Sequence, residues 1–459
     1  MNSLAPRDAT MYWLSARTRN DLFLLYCFAD TGVPTAELRE TLSRRIIRIP
    51  DLLVHVLDTP ANIAYPIWAP CEFIDEQCLV HDLPEATWAN LTTALGDLLN
   101  TGVQAQHRPW RLHLFRDISN APGFDPGEPA LVAVLQLSHA LTDGRRAAEI
   151  ARTLFTDTAA DTPPPSLPSW HAGMTGWSAA ARALPRIPID LARTVIRGVA
   201  AARAQRELSD LTAAGMIPPP PPTVAPNAFN GGGAEPSSHA VRMLVRDAAE
   251  FQVPGFTVTT VAATAISLAM QRYLVDCGHP TGELRAQIPM AVAADEMTRN
   301  SYRDLSIDLC TGEPDPHHRA ARIAAELITR RTRAEHPLQD AQSAATAALP
   351  APLLHRDVTG YPINQLPEQV SGHTVISSVH RGPADLTLGG GPVRFTAGFP
   401  ALGSVMHLTH GVHGLGDTVT ISVHADPEFI DVDSYAGLLD ATLSDMALSD
   451  AKKEPARPS

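Results

Sequence analysis

Leu135–Gly144 reads Leu-Gln-Leu-Ser-His-Ala-Leu-Thr-Asp-Gly, an apolar run that ends on a histidine. A histidine at a strand end can act as a general base, because its unperturbed pKa lies near neutral pH. Asp143 follows four residues later, where a helix is expected to start. That position suits an ion pair or a helix cap better than a direct relay to His139. Gly144 would then allow a tight turn. The residues alone leave a plainer reading open, in which His139 ends a strand and Asp143 and Gly144 only make the turn, because so short a pattern is weak by itself.

A second set of candidates is His407, His410 and His413, in the string His-Leu-Thr-His-Gly-Val-His. On a helix the three would converge. The segment reads as a strand, so alternation puts His407 and His413 on one face and His410 on the other. No acid lies at metal-ligand spacing, and no metal is expected. The sequence shows no glycine-rich phosphate loop, serine nucleophile elbow or Cys-His signature.

The elements that must hold His139 are legible around it. Ala130–Leu137 is apolar except for Gln136, as a strand covered on both faces should be. Beyond Gly144, Ala147, Ile150, Ala151, Leu154 and Phe155 recur at helical spacing, with Thr142 or Asp143 as the N-cap. Upstream, helices are expected over 34–47, with Leu38, Leu42 and Ile46 on one side, and over 86–100. Downstream, helices are expected over 258–274 and from Asp315-Pro316 to about Arg333. Strands are expected over 284–293, 305–310, 374–380 and 393–398, and a hairpin over 406–424.

At 459 residues the chain exceeds what one core usually organises. Two proline-rich breaks, Thr162–Trp170 and Ile217–Pro226, punctuate it, and Gly231–Gly233 follows the second. They give an N-terminal lobe over 1–162, a connector over 163–232 and a C-terminal lobe over 233–459. Both lobes read as mixed α/β.

A net charge of −13 argues against nucleic acid as a partner. Five scattered cysteines lack metal or disulfide spacing and read as reduced thiols in a cytoplasmic protein. No signal peptide is expected, and Leu22–Ala29 is too short to span a bilayer, so any membrane contact would be peripheral. Residues 177–205 are the candidate for it. Arg182, Arg186, Arg193, Arg197 and Arg203 stand there against a single acid, Asp190, among apolar residues. That composition fits a basic amphipathic helix at a membrane or lipid-droplet surface, and equally a connector helix packed on a lobe with its arginines solvated. Pro185 and Pro188 should disturb its first turns.

His139, Asp143 and Gly144 resemble the second His, the Asp and the Gly of the His-His-x-x-x-Asp-Gly motif of bacterial wax ester synthase/diacylglycerol acyltransferases. That family belongs to the chloramphenicol-acetyltransferase-like superfamily of CoA-dependent acyltransferases. The resemblance runs along most of the chain. Leu4–Trp13 is similar to the family's opening stretch, and Arg48-Ile49-Pro50, Pro66-Ile67-Trp68, Phe73, His81–Pro84 and Arg108-Pro109-Trp110 keep its order. Asn300 resembles the Asn of its Gly-Asn element, and Ser377-Ser378-Val379 its Ser-Asn-Val-Pro-Gly-Pro element. The chain departs from the pattern at Ser138, which replaces the motif's first His. It departs again at Ser378 and at His380-Arg381-Gly382-Pro383.

The resemblance implies an α/β fold of two chloramphenicol-acetyltransferase-like lobes, each a mixed sheet with helices, around an inter-lobe tunnel. It implies direct acyl transfer without a cofactor, acyl-CoA being a co-substrate. His139 would take the proton of an acceptor hydroxyl, the oxygen would attack the thioester, and CoA thiolate would leave. Ser138, Asn300, Ser377 and Ser378 are the candidates for substrate binding or oxyanion stabilisation. The acceptor implied is a long-chain alcohol or diacylglycerol, giving wax ester or triacylglycerol. A polyketide or glycolipid hydroxyl, an acyl-carrier-protein donor and a non-catalytic lipid-binding relative are the alternatives.

Overall fold

The computed structural model describes residues 3–156, 175–232, 236, 238–292, 298–363 and 365–453. The first proline-rich break, the boundary at 162 and Gly233 lie outside them. The strands among the described residues are β1 (Leu22–Ala29), β2 (Val54–Leu57), β3 (Ile67–Pro70), β4 (Cys78–His81), β5 (Trp110–Ile118), β6 (Ala130–Leu137) and β7 (Ala240–Asp247). They continue with β8 (Arg285–Ala291), β9 (Tyr302–Asp308), β10 (Thr374–His380), β11 (Thr387–Leu388), β12 (Gly391–Gly398), β13 (Leu408–Leu415) and β14 (Thr418–Ala425).

Two six-stranded mixed sheets carry the fold, ordered β11-β12-β1-β6-β5-β4 and β7-β14-β13-β10-β8-β9. In the first, β1 lies between β6 and β12 and β6 between β1 and β5, all antiparallel. Every residue of β6 is buried, which explains its almost unbroken apolar run. In the second, β10 is parallel to both β13 and β8, and β13–β14 is the expected hairpin, turning at Gly416 with φ +53°. Residues 387–398 join the first sheet, although they follow the connector. The division at 232 therefore does not separate the sheets, and the last strands of the first lobe come from the C-terminal stretch.

Helices pack against the sheets. In chain order they are α1 (Pro6–Leu14), α2 (Thr35–Ile46), α3 (Trp88–Leu99), α4 (Gly144–Phe155), α5 (Gly176–Ala183) and α6 (Ile187–Ala213). α7 (Val258–Asp276), α8 (Pro316–Ala334), α9 (Leu338–Thr346), α10 (Ala351–Gly360) and α11 (Val432–Lys453) follow. α2 buries Leu38, Leu42 and Ile46 as its spacing requires. Thr87 caps α3 through Asn90 N, and Asp315 caps α8 through His318 N, ahead of Pro316. These caps satisfy N–H groups that the helix itself cannot. α7 is long and apolar enough by composition to cross a membrane, but it packs into the core of the second sheet.

The region over 177–205 is two helices. Pro185 and Pro188 divide it through a short 3-10 turn at Leu184–Arg186. α6 lies on α9, with Thr194 Oγ1 donating to Ala348 O and Arg197 Nη1 to Ala344 O. Ile189, Leu191, Val195, Ile196 and Val199 are exposed. The apolar stripe therefore faces outward, the reverse of a helix whose apolar side packs on its lobe.

Candidate active site

His139 sits just past β6, in the turn that leads to α4. Ser138 N donates to Pro109 O at 2.7 Å, and Leu141 N to Ser138 O at 2.9 Å, which closes the turn. His139 is half-buried and lines a cavity of about 470 Å³ between the two sheets. Leu22–Leu24 of β1 contributes to the wall, as do Gln287 and Pro289 of β8, Tyr302 and Asp304 of β9, Ser377 and Ser378 of β10, and Phe399–Ala401.

The imidazole is held from the other side of the molecule. Its Nδ1 lies 2.9 Å from Asn300 Oδ1, and Asn300 Nδ2 donates to His139 O at 2.8 Å and to Asp8 Oδ1 at 2.9 Å. A carbonyl oxygen can only accept, so the amide nitrogen must face His139 O, and Oδ1 faces the ring. His139 Nδ1 therefore carries the proton and donates it to Asn300. Nε2 keeps its lone pair, with no protein partner among the described residues. This is the tautomer a general base needs.

Asp8, in α1, anchors the arrangement. It accepts from Thr298 Oγ1 at 3.1 Å and Arg299 N at 3.0 Å as well as from Asn300. Burial raises its pKa, against these bonds. The sequence placed Asp8 only in the family-like opening stretch. The signal it did carry is its position one turn into a proline-started helix.

Burial also sets the charge state of His139. It pushes the His139 pKa below the ordinary 6.5, against the Asn300 bond and the Asp143 charge, which raise it. The ring is thus neutral at physiological pH. Tyr302 lies with its ring centroid 5.9 Å from that of His139 and carries the Arg7 guanidinium over its own face at 4.2 Å.

Asp143 acts as scaffold. Oδ1 accepts from Arg146 N at 3.0 Å, capping α4, and Oδ2 accepts from Ser301 N at 2.9 Å. Asp143 N in turn donates to Arg299 O at 3.2 Å. One carboxylate therefore starts the helix and ties the motif to the 298–301 segment. Gly144 does not make the tight turn expected of it. Its backbone is not left-handed, and a Cβ there would meet only Val379 Cγ2, at 3.7 Å. It opens α4 onto the cavity wall.

Two of the expected oxyanion or substrate candidates fall away. Ser138 is buried off the cavity, with Oγ accepting from Ala140 N at 3.3 Å. Asn300 has both amide hydrogens committed, so it orients the His139 ring and has none left for an oxyanion. Ser378 lines the cavity but shares a 2.8 Å hydrogen bond with Thr259. Ser377 lines the cavity with no side-chain hydrogen bond among the described residues, which leaves it the freest donor of the four.

The three C-terminal histidines occupy separate surroundings. His407 stacks on Phe429 at 3.9 Å, His410 bonds Thr374 and Tyr435, and His413 lies on the cavity wall. No group of three or more potential metal ligands occurs among the described residues.

Residues 4–235 match the wax ester synthase/diacylglycerol acyltransferase catalytic domain, and residues 300–447 the C-terminal domain of the same family. The chain belongs to this family, and by that membership it is an acyltransferase. Among solved structures it is similar to the wax ester synthase/diacylglycerol acyltransferase from Marinobacter aquaeolei VT8, at 17% identity and TM-score 0.62, with 98% of this chain and 100% of that one covered. It is also similar to the starter condensation domain of rhizomide synthetase in complex with C8-CoA, at 13% identity and TM-score 0.56, covering 98% and 95%. A trichothecene 15-O-acetyltransferase from Fusarium sporotrichioides gives 12% identity and TM-score 0.56, covering 97% and 94%. These likenesses establish the two-lobed acyltransferase fold. No curated protein sequence matches the chain.

Proposed function

We propose that the protein transfers an acyl group from acyl-CoA to a lipid hydroxyl, a long-chain alcohol or diacylglycerol, with His139 as the general base. The observation that carries this reading is the His139–Asn300–Asp8 chain. It leaves Nε2 of a neutral imidazole unengaged on the wall of an inter-lobe cavity. In the proposed reaction Nε2 takes the hydroxyl proton as the acceptor oxygen attacks the thioester carbonyl. The tetrahedral oxyanion forms, collapses and expels CoA thiolate, and the imidazolium returns the proton. Ser377 is the side chain we assign to the oxyanion.

The exposed apolar residues of α6, interleaved with Arg193 and Arg203, suit contact with an anionic lipid surface, and we place the reaction in the cytoplasm at such a surface. The deciding experiment is acyl-CoA turnover against alcohol, diacylglycerol and glycolipid acceptors. His139→Ala should abolish acceptor-dependent CoA release while the protein stays folded. A retained rate in that variant would overturn the role of His139, and absence of turnover on every acceptor would favour a lipid-binding relative.

A further inference from the structure

α5 and α6 border a second cavity, of about 1010 Å³, which shares no lining residue with the one that holds His139. Its far wall comes from the 63–67 segment and from Ala347–Ala351. Arg182, Arg186, Arg193 and Arg197 line the near wall, and Asp190 is the only acid among the lining residues. Asp190 pairs with Arg193 at 3.4 Å, and Arg197 Nη1 donates to Ala344 O at 3.2 Å. Four guanidiniums against one carboxylate leave an excess of three positive charges, in a chain whose net charge is −13.

The charged wall runs into the outward apolar stripe. Arg193 stands four residues after Ile189 and three before Ile196, so the three are neighbours on the surface of α6. Ile189 is 54% exposed and Ile196 68%. Just before α6, Leu184 and Trp177 are exposed as well, Trp177 at 76%. The cationic cavity thus opens beside an apolar surface that carries an aromatic ring. Those features together suit the headgroup layer of a bilayer.

A guanidinium binds phosphate oxygens as a bidentate fork, and several around one space suit a group with many acceptors and more than one charge. A phosphate monoester carries about −1.5 to −2 at neutral pH. A phosphodiester headgroup such as that of phosphatidylglycerol, or a carboxylate, brings a single charge. The excess of three positive charges therefore matches the monoester better. A free nucleotide would satisfy the arginines but leave Ile189 and Ile196 in water, whereas a lipid covers both.

We propose that this cavity is a headgroup site for a lipid phosphate monoester, which Arg182, Arg186, Arg193 and Arg197 hold while its acyl chains lie along the Ile189–Ile196 side of α6. The inference rests on the placement of the protein at an anionic lipid surface and deepens it by assigning one headgroup chemistry. It uses none of the residues around His139, so it is tested without turnover.

Co-sedimentation of the full chain with vesicles, in the absence of acyl-CoA, is the experiment. Vesicles of phosphatidylcholine alone are compared with phosphatidylcholine containing phosphatidylglycerol or phosphatidate, the two anionic sets matched in surface potential. Phosphatidate vesicles should bind about fivefold or more tightly than phosphatidylglycerol vesicles, less than buried charge-assisted hydrogen bonds would give because the arginines are exposed. Arg186→Gln combined with Arg193→Gln should make the two anionic sets equal. Val195→Ser combined with Ile196→Ser should weaken binding to both and keep their ratio. Equal binding of the wild-type protein to the two matched sets overturns the headgroup site and leaves the lipid-surface placement standing. Absence of binding to every vesicle overturns both. A phosphatidate preference that survives the arginine substitutions also overturns the site. So does release from phosphatidate vesicles by free CoA at a concentration that leaves phosphatidylglycerol binding unchanged, which would give the cavity to nucleotide phosphates.

Discussion

Asn300→Ala separates orientation of the base from its mere presence. The amide makes three bonds of 2.8–2.9 Å, to His139 Nδ1, His139 O and Asp8 Oδ1. Truncation leaves the buried carbonyl and the buried carboxylate each one donor short, at about 1–3 kcal/mol apiece, so stability should fall by on the order of 2–5 kcal/mol. Asp8 keeps Thr298 and Arg299, which limits the loss. The imidazole loses the acceptor that fixes its tautomer. If the base is effective only in that tautomer, kcat/KM should drop by roughly a hundredfold to ten-thousandfold, the range that general-base catalysis supplies. Acyl-CoA turnover by thiol release, run beside a thermal melt, reads both effects. The wild-type profile of kcat/KM should lose activity on the acid side with an apparent pKa below 6.5, because burial lowers that of His139 and only the neutral ring can accept a proton. A folded Asn300→Ala variant within threefold of wild-type kcat/KM, or a wild-type acid limb at or above pH 6.5, would refute the argument.

Other substitutions test neighbouring links. Ser138→Ala removes only the acceptor for Ala140 N, in a side chain off the cavity. It should cost about 1 kcal/mol of stability and leave kcat/KM within about threefold, as steady-state kinetics and a melt would show. Asp143→Ala removes the α4 cap and the Ser301 N–H acceptor together, and chemical denaturation should show a loss of about 2–4 kcal/mol. Asp21 is buried, and burial raises its pKa from 3.8 to about 6, against bonds from Val103 N and Gln136. The unfolded chain thus ionises Asp21 first, so stability falls as pH rises from about 4 through 6, by on the order of 3 kcal/mol. Asp21→Asn should therefore gain on wild type between pH 4 and pH 8 in paired melts, and a difference that stays flat across that range would refute the assignment.

The local elements were legible because their signals are local. The spacing of Leu38, Leu42 and Ile46 marks the buried face of α2, and Asp315-Pro316 marks the start of α8. Ala130–Leu137 reads as a strand covered on both faces because no residue in it reaches solvent. What failed is non-local. Nothing in the alternation of Val393 and Phe395 tells which sheet β12 joins, since the register Phe28↔Val393 is set by packing across more than half the chain. Gly144 was expected at a turn because glycine permits positive φ, yet the backbone there does not use that freedom. Asn300 is expected among oxyanion donors from its resemblance to the family's Gly-Asn element, and a residue's type does not show where its hydrogens go. The strong burial of Asp8 and Arg381 likewise has no sequence signature, because each is buried by segments from the opposite sheet.

The sheet exchange and the base are linked by one constraint. His139 comes from the first sheet, Asn300 and Arg299 from the second, and Asp8 from the first helix. The ring is therefore oriented only when the sheets are docked. β12 enforces that docking. It pairs with β1 while Gly398 crosses β13 so closely that a Cβ on Gly411 would lie 2.2 Å from Gly398 O. The walls of the cavity and the direction of the His139 ring thus depend on how the two sheets dock. This bears on Ser138, the sharpest departure from the family motif. The side chain at that position faces away from the cavity into the turn, where a serine hydroxyl already serves Ala140 N. Orientation of the His139 ring falls to Asn300, which lies 161 residues further along the chain. A serine at the motif's first position therefore touches neither the His139 ring nor the cavity.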